Sequence, residues 1–156
     1  MRKQTGRHTK PAPTPLFTIG YQAHSVESLI DCLNSNRIHL LMDVRQNPSS
    51  RKPGFSKRRL QNAITQAGIE YVHEPDLGTP PSIRSMYRGG ADITETLAEY
   101  GKYISSNPGP LESLATLVKS RRVCLLCLET DHKMCHRSVI AANLCKITKC
   151  QPIHLV

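Results

Sequence analysis

One short apolar run, residues 123–128, constrains the fold more than any other segment of this chain. The run is bounded by charged residues, which is typical of a buried strand. Helical apolar spacing follows from Val139 to Leu144, so a helix is expected over about 137–146. A strand that leads through a loop into a helix is the building unit of α/β folds, whose ligand crevice lies at the carboxyl edge of the sheet.

The same alternation recurs along the rest of the sequence. Apolar runs predict strands at 16–20, 38–44, 69–73, 123–128 and 152–155. Helices are predicted after the capping residues Ser25, Ser56 and Asp92, and again near 111–118 and 137–146. The proline- and glycine-rich stretch 74–91 is predicted to be irregular. The sequence thus predicts the α/β class: a single-domain, mainly parallel sheet of about five strands with helices on both faces.

Positive charge is concentrated in two segments of the 156 residues. Lys and Arg number 21 and Asp and Glu number 12, for a formal net charge of +9. Residues 1–15 contain four cations, no acid and three prolines, and are predicted to be a flexible basic arm before a domain at 16–156. Residues 44–69 contain six cations and no acid, and are expected to form a patch that attracts nucleic acid. The predicted nucleic-acid-binding residues are Lys52, Lys57, Arg58 and Arg59.

Cysteine usage and hydropathy bear on the compartment. No run of about 18 apolar residues is present, as a membrane span would need, and the first residues lack the apolar core of a secretory signal. In that setting, six cysteines indicate reduced thiols in a cytoplasmic protein rather than a disulfide framework.

Reactive side chains collect after the predicted strands at 123–128 and 38–44. A helix N-terminus favours anions and lowers the pKa of a nearby thiol, so the loop before the last helix is a candidate site. The candidate catalytic residues are Cys127, Glu129, Cys135, His136 and Asp43. The candidate substrate-binding residues are Arg45, Ser50, Arg51, Arg137 and Tyr87. Because the helix dipole disfavours a cation at its N-terminus, Arg137 is expected to have an anionic partner, either a ligand or Glu129.

Metal binding is a competing interpretation of the same cysteines. Cys124 and Cys127 are three positions apart in a strand, so their side chains are expected to point to opposite faces of the sheet. Adjacent Cys135 and His136 are also expected to converge poorly on one ion. We therefore predict no metal and no cofactor, although a site that combines Cys127, Cys135 or His136 with Glu129 remains an alternative.

Several short motifs resemble those of the DUF488 family, a domain of unknown function. They are Thr18-Ile-Gly20, Asp43-Val-Arg45 with Pro48 and Ser50, Phe55, Gly68-Ile69 with Tyr71, Leu77-Gly78, Cys127-Leu-Glu129 and Cys135-His-Arg-Ser138. The resemblance runs in order over about 16–155 and implies the fold and the location of the site. The strand–Cys–loop–Arg-Ser arrangement is also similar to rhodanese-like and thiol-phosphatase domains, but the ten residues from Cys127 to Arg137 exceed their compact loop.

Three functions are compatible with these features. The first is an enzyme that binds an anionic substrate, a nucleic acid or phosphorylated nucleotide, through Arg45 and Arg137. In it, Glu129 or His136 transfers protons and a thiol serves as nucleophile or bystander. The second is a non-catalytic nucleic-acid-binding module that depends on the basic arm and patch. The third is a thiol-dependent enzyme of sulfur or phosphoryl transfer, with an adduct on Cys127. The predicted partner is thus nucleic acid or a phosphate-bearing ligand, and not a membrane.

Overall fold

The computed structural model describes residues 12–156, in which five strands alternate with six α-helices. The strands are β1 (Leu16–Gly20), β2 (Leu40–Asp43), β3 (Glu70–His73), β4 (Val123–Cys127) and β5 (Pro152–Leu155). The helices are α1 (Val26–Ser35), α2 (Lys57–Gln66), α3 (Pro81–Arg88), α4 (Ile93–Ser106), α5 (Gly109–Leu117) and α6 (Arg137–Thr148). Short 3₁₀ helices span Pro75–Leu77 and His132–Met134. Most of the predicted basic arm, residues 1–11, lies outside the described residues.

All five strands are parallel and lie in the order β3-β2-β4-β1-β5, which confirms the predicted α/β class. In register, Gly20 of β1 is paired with Cys127 of β4, and Asp43 of β2 is paired with Leu126. The carboxyl ends of these three central strands therefore meet at one point on the sheet edge.

Helices cover both faces of the sheet, as predicted. Leu29 and Leu33 of α1 pack with Leu60 and Ile64 of α2 on one face. The opposite face is covered by α3 to α6. In the sheet, β4 lies between β2 and β1. The helices that follow β1 and β2 pack on one face, whereas α6, which follows β4, packs on the other face. Such a reversal opens a crevice at the carboxyl end of β4.

Two of the predicted helix starts use the expected side-chain caps. The Ser25 hydroxyl accepts a hydrogen bond from the Ser28 amide at 3.1 Å, and the Ser28 hydroxyl accepts one from the Ser25 amide at 3.0 Å. The Asp92 carboxylate accepts a hydrogen bond from the Thr94 amide at 2.7 Å. These bonds satisfy amides that a helix leaves free at its first turn.

The prediction that residues 74–91 are irregular is wrong in part. The segment contains a 3₁₀ helix at Pro75–Leu77 and the α-helix Pro81–Arg88. Pro81 occupies the first helical position, where its missing N–H has no helical partner to lose. Ile83 anchors the helix in the core, with 8% of its surface exposed. The prolines thus mark where a helix begins, and α3 is available to form a wall of the crevice.

Gly20, the last residue of β1, provides a test of how closely the β4–α6 loop packs on the sheet. A methyl group on Gly20 would overlap the carbonyl group of Glu129, a backbone contact that cannot move away. We expect Gly20→Ala to lower the free energy of unfolding by about 3 kcal/mol, because overpacking forces the backbone to shift.

Gly101→Ala is the matched control for that substitution. Gly101 lies inside α4, and an added methyl group would make only an ordinary contact with Val139 at 3.8 Å. Alanine is favoured over glycine in a helix interior, so this variant should gain up to about 1 kcal/mol. Chemical denaturation measures both values, and equal stability of the two variants would contradict the close packing at Gly20.

Candidate functional site

A buried ion pair forms the end of β2. The Arg45 guanidinium donates to both Asp43 carboxylate oxygens, at 2.8 and 2.5 Å, and to the carbonyl oxygen of Phe55 at 2.8 Å. The Tyr71 hydroxyl donates to the same carboxylate at 2.6 Å. Asp43 is fully buried and lies beneath the crevice rather than in its wall. Its carboxylate thus fixes the position of Arg45, which does reach the wall.

Aromatic rings surround this ion pair. The Tyr21 and Phe55 rings stack with centroids 4.6 Å apart, and the Arg45 guanidinium lies 5.0 Å from the Tyr21 centroid. The Ser50 hydroxyl accepts a hydrogen bond from Tyr21 at 3.2 Å. The Lys52 ammonium donates to the Tyr21 carbonyl at 3.2 Å, and so ties the loop between β2 and α2 to the end of β1.

Arg137, the first residue of α6, is fully buried and does not line the crevice. Its guanidinium donates to the carbonyl oxygens of Glu129 and Thr130, the latter at 3.0 Å, and to the Thr18 hydroxyl at 3.3 Å. Within residues 12–156 it forms no ion pair. Its partner is therefore the backbone of the β4–α6 loop, and the Glu129 carboxylate is left to face the crevice.

Four of the predicted catalytic side chains meet at the end of β4. His136 Nδ1 lies 3.7 Å from Cys127 Sγ and 3.8 Å from Cys135 Sγ. His136 Nε2 donates to the carbonyl oxygen of Val44 at 2.9 Å. The Glu129 carboxylate lies 3.4 Å from Cys127 Sγ. Two thiols, one imidazole and one carboxylate thus lie together at the end of β4.

Burial and mutual contact shift the acidity of these groups in different directions. Burial opposes ionisation of Cys135, but the hydrogen bond with Cys127 and the positive charge of His136 hold its pKa well below the ordinary value. The hydrogen bond with Cys135, together with burial, raises the pKa of Cys127. Burial and the nearby Cys135 raise the pKa of the Glu129 carboxyl. Burial lowers the pKa of His136, but the Cys135 thiolate outweighs it and the net shift is upward.

The expectation that Cys135 and His136 converge poorly on one ion is wrong. The ligand atoms of Cys127, Cys135 and His136 all lie within 4.8 Å of one another. Cys135 follows the 3₁₀ helix in an extended conformation, whereas His136, the N-cap of α6, has helical backbone angles, so the backbone turns between these neighbours and brings both side chains together. The prediction for Cys124 is confirmed, since it packs in the core on the opposite face from Cys127.

Cys127, Cys135 and His136 form the floor of a crevice of about 560 Å³. Its wall includes Arg45, Arg84, Arg88, Tyr87, Tyr100 and Glu129. Tyr87 is a predicted site residue and is 51% exposed. The predicted residues Ser50 and Arg51 do not line the crevice.

Arg84 and Arg88 are site residues that the sequence-based predictions missed. Both belong to α3, in the segment predicted to be irregular. The helical spacing of Ile83 and Tyr87 after the Pro80-Pro81 pair is the signal that would have revealed the helix and placed both arginines on one side of it.

The predicted basic patch lies beside this site, where α2 follows β2. Lys57, Arg58 and Arg59 occupy the first turn of α2 and are exposed. The first turn of α2 contains no acidic residue, and none of the three forms an ion pair with another described residue. Lys52, in contrast, directs its ammonium group to backbone carbonyls.

Comparison with protein-family models finds a match over most of the chain. A family model described as "Domain of unknown function DUF488" matches residues 25–144. The matched residues include both loops of the site, the one after β2 and the one between β4 and α6. No curated protein and no solved structure gives a match.

The buried Arg137 gives a direct test of how the site is held in place. Arg137→Met should lower the free energy of unfolding by about 3 kcal/mol, since it leaves the Thr18 hydroxyl and the part-buried carbonyl oxygens of Glu129 and Thr130 without this donor, at about 1–3 kcal/mol for each buried group. Arg137→Lys should recover only part of this loss, because one ammonium group does not reproduce the fork of guanidinium donors.

Arg58→Met serves as the control, since Arg58 is exposed on α2 and should change stability by less than about 0.5 kcal/mol. Urea denaturation of the three variants measures the differences. If Arg137→Met were as stable as Arg58→Met, Arg137 would not hold the loop.

Proposed function

We propose that this chain, which belongs to the DUF488 family, is an enzyme that acts on a phosphate-bearing, nucleotide-like substrate in the crevice at the carboxyl edge of its sheet. The observation that carries the proposal is the meeting of Cys127, Glu129, Cys135 and His136 in a crevice with cationic walls. Reactive groups that converge in a concave pocket are the usual mark of an active site.

The charge of the crevice favours an anion. Its lining contains three arginines, Arg45, Arg84 and Arg88, and one carboxylate, Glu129. Asp43 neutralises Arg45, whereas Arg84 and Arg88 form no ion pair with any residue of 12–156. Arg84 donates to the Gln46 side chain at 2.5 Å, which holds its guanidinium at the wall. Guanidinium groups recognise phosphate through paired hydrogen bonds, so these two arginines suit a phosphate group.

The size and apolar lining of the crevice favour a substrate that also carries a ring. A volume of about 560 Å³ lies in the range of small-molecule sites. Tyr87 presents an exposed ring on the same helix as the arginines, and Ile83 and Met134 add apolar surface. A phosphorylated nucleotide, or the end of a nucleic acid strand, combines the anionic and the flat apolar parts that such a wall contacts.

Glu129 is the group best placed to transfer a proton to or from the substrate. Its carboxylate is partly exposed at the crevice, while the loop backbone behind it is fixed by Arg137. Cys127, Cys135 and His136 lie deeper, with less than a tenth of their surface exposed. These three groups provide the floor on which the reacting atom rests.

Sulfur or phosphoryl transfer through Cys127 has less support. In the rhodanese-like and thiol-phosphatase arrangement, the arginine that follows the cysteine loop holds the transferred anion, and here the donors of that arginine, Arg137, are occupied by Thr18, Glu129 and Thr130. A reducing compartment such as the cytoplasm fits the six free cysteines among the described residues. No helix within residues 12–156 is long and apolar enough to cross a membrane.

Phosphate recognition is tested with nucleoside 5′-monophosphates and inorganic phosphate as probes. Replacement of Arg84 and Arg88 by Gln should weaken binding about 10-fold or more, because each charge-assisted hydrogen bond contributes about 1.5–3 kcal/mol. Isothermal titration calorimetry measures the dissociation constants. The matched control replaces Lys119 and Lys146 by Gln, which removes the same charge from exposed positions outside the crevice.

Equal weakening in both double variants would mean that net charge, and not the crevice, attracts the phosphate. Turnover is then tested by chromatography of nucleotides and short oligonucleotides after incubation with the chain. We expect a product that Glu129→Gln abolishes while binding persists. Binding without any product would contradict the enzymatic function.

A non-catalytic nucleic-acid-binding function is the second candidate, favoured by the exposed Lys57, Arg58 and Arg59 on the first turn of α2, none of which forms an ion pair within residues 12–156. Binding to nucleic acid should weaken steeply with salt, since each neutralised phosphate releases counterions. Replacing all three by Gln should reduce the slope of log affinity against log salt by about 2–3.

Fluorescence anisotropy with single- and double-stranded oligonucleotides at increasing salt measures that slope. The three positions are exposed, so unfolding of the variant is not expected and circular dichroism verifies it. An unchanged slope would exclude α2 as the contact surface.

A further inference from the structure

Three side chains at the end of β4 converge as a ligand set. They are Cys127, Cys135 and His136, which are all buried and all line the floor of the crevice. Thiolate and imidazole are the ligands that zinc prefers in proteins. Within residues 12–156 this is the one group of at least three Cys, His, Asp or Glu side chains whose ligand atoms meet so closely.

The two nitrogen–sulfur distances within the set agree with tetrahedral coordination. Zinc binds sulfur at about 2.3 Å and nitrogen at about 2.0–2.1 Å, so a sulfur and a nitrogen on one tetrahedral zinc lie about 3.6 Å apart. His136 Nδ1 lies 3.7 Å from Cys127 Sγ and 3.8 Å from Cys135 Sγ. The donors therefore stand close to the required spacing.

The hydrogen bond on the other side of the imidazole fixes the tautomer that a metal requires. A carbonyl oxygen accepts and never donates, so the Val44 carbonyl accepts a hydrogen bond from the N–H of His136 Nε2, at 2.9 Å. Neutral His136 then bears its lone pair on Nδ1, between the two sulfurs. A backbone carbonyl that orients the far nitrogen in this way is the usual outer-shell partner of a metal-bound histidine.

We propose that Cys127, Cys135 and His136 bind one zinc ion whose fourth position opens to the crevice. The Glu129 carboxylate lies 3.4 Å from Cys127 Sγ but is not one of the converging donors. It thus stands beside the open position. Three protein ligands and a free fourth site are the pattern of catalytic rather than structural zinc. The ion would lie on the floor of the crevice, below Arg84 and Arg88, where a bound phosphate compound would reach it.

The metal content of the full chain tests the site. After expression with added zinc and purification under reducing conditions, inductively coupled plasma mass spectrometry should find about one zinc per chain. Cys127→Ser, Cys135→Ser and His136→Gln should each lower zinc affinity by more than about 100-fold, since even outer-shell changes cost about 10- to 100-fold. Cys145→Ser is the control, because Cys145 and Cys150 form the other close thiol pair, with sulfurs 2.6 Å apart.

Cobalt(II) gives a second measurement that does not depend on the folding of the ligand variants. The Cys145→Ser chain, with zinc removed and cobalt(II) added, should show a thiolate-to-cobalt charge-transfer band and the intense visible bands of tetrahedral cobalt. Weak six-coordinate bands, a folded chain that takes up no zinc, or zinc lost on Cys145→Ser but retained on Cys127→Ser would each overturn the proposal.

The proposed metal site and the proposed function can each be refuted independently of the other. Zinc uptake does not depend on Arg84 or Arg88, so the Arg84→Gln/Arg88→Gln variant should bind zinc like the unchanged chain. Phosphate binding without zinc would overturn only the metal site. Zinc without phosphate binding would overturn only the proposed function.

Discussion

The buried guanidinium of Arg137 fixes the β4–α6 loop, one side of the candidate site, against strand β1. It joins the Thr18 hydroxyl of β1 to the carbonyl oxygens of Glu129 and Thr130. A buried charge is costly unless hydrogen bonds satisfy it, and here backbone dipoles do so without any carboxylate from the described residues. Gly20 permits this arrangement, because any side chain there would overlap the Glu129 carbonyl.

A second buried arginine organises the opposite side of the crevice. Arg45 is fixed by Asp43, which also accepts a hydrogen bond from Tyr71. The two arginines thus have different partners, a carboxylate for Arg45 and carbonyl oxygens for Arg137. Both hold the loops that follow neighbouring strands, and between these loops lie the thiols, the imidazole and the Glu129 carboxylate. The chemistry of the site therefore depends on charges that themselves stay out of the solvent.

Local patterns were sufficient for most of the fold. The strands at 16–20 and 123–128 and the caps at Ser25 and Asp92 follow from apolar spacing and helix-start chemistry that neighbouring residues determine. The prediction failed at α3 because prolines usually interrupt helices, whereas Pro81 occupies the first helical position, where a helix tolerates proline. Because α3 was not predicted, Arg84 and Arg88, which α3 contributes to the crevice wall, were not predicted as site residues either.

The reactive side chains of the site could be named from the sequence, whereas Arg84, Arg88 and the geometry of the site could not. Parallel strands bring their carboxyl ends to one edge, so Cys127 and Arg45 could be expected near each other from the order of the elements. The convergence of Cys135 and His136 depends on a backbone turn between adjacent residues, and the partners of Arg137 depend on how the loop folds back onto β1. Neither is encoded in a short motif, because each results from tertiary contacts.

The most direct measurement is a nuclear magnetic resonance titration of the isotope-labelled full chain with a nucleoside 5′-monophosphate. Backbone amides should shift together at the end of β2 around Gln46, on α3 around Arg84, and in the β4–α6 loop around Leu128 and His136, since these segments line one crevice. Shifts confined to the exposed first turn of α2 around Arg58, or no shifts at all, would contradict a ligand site between the two loops.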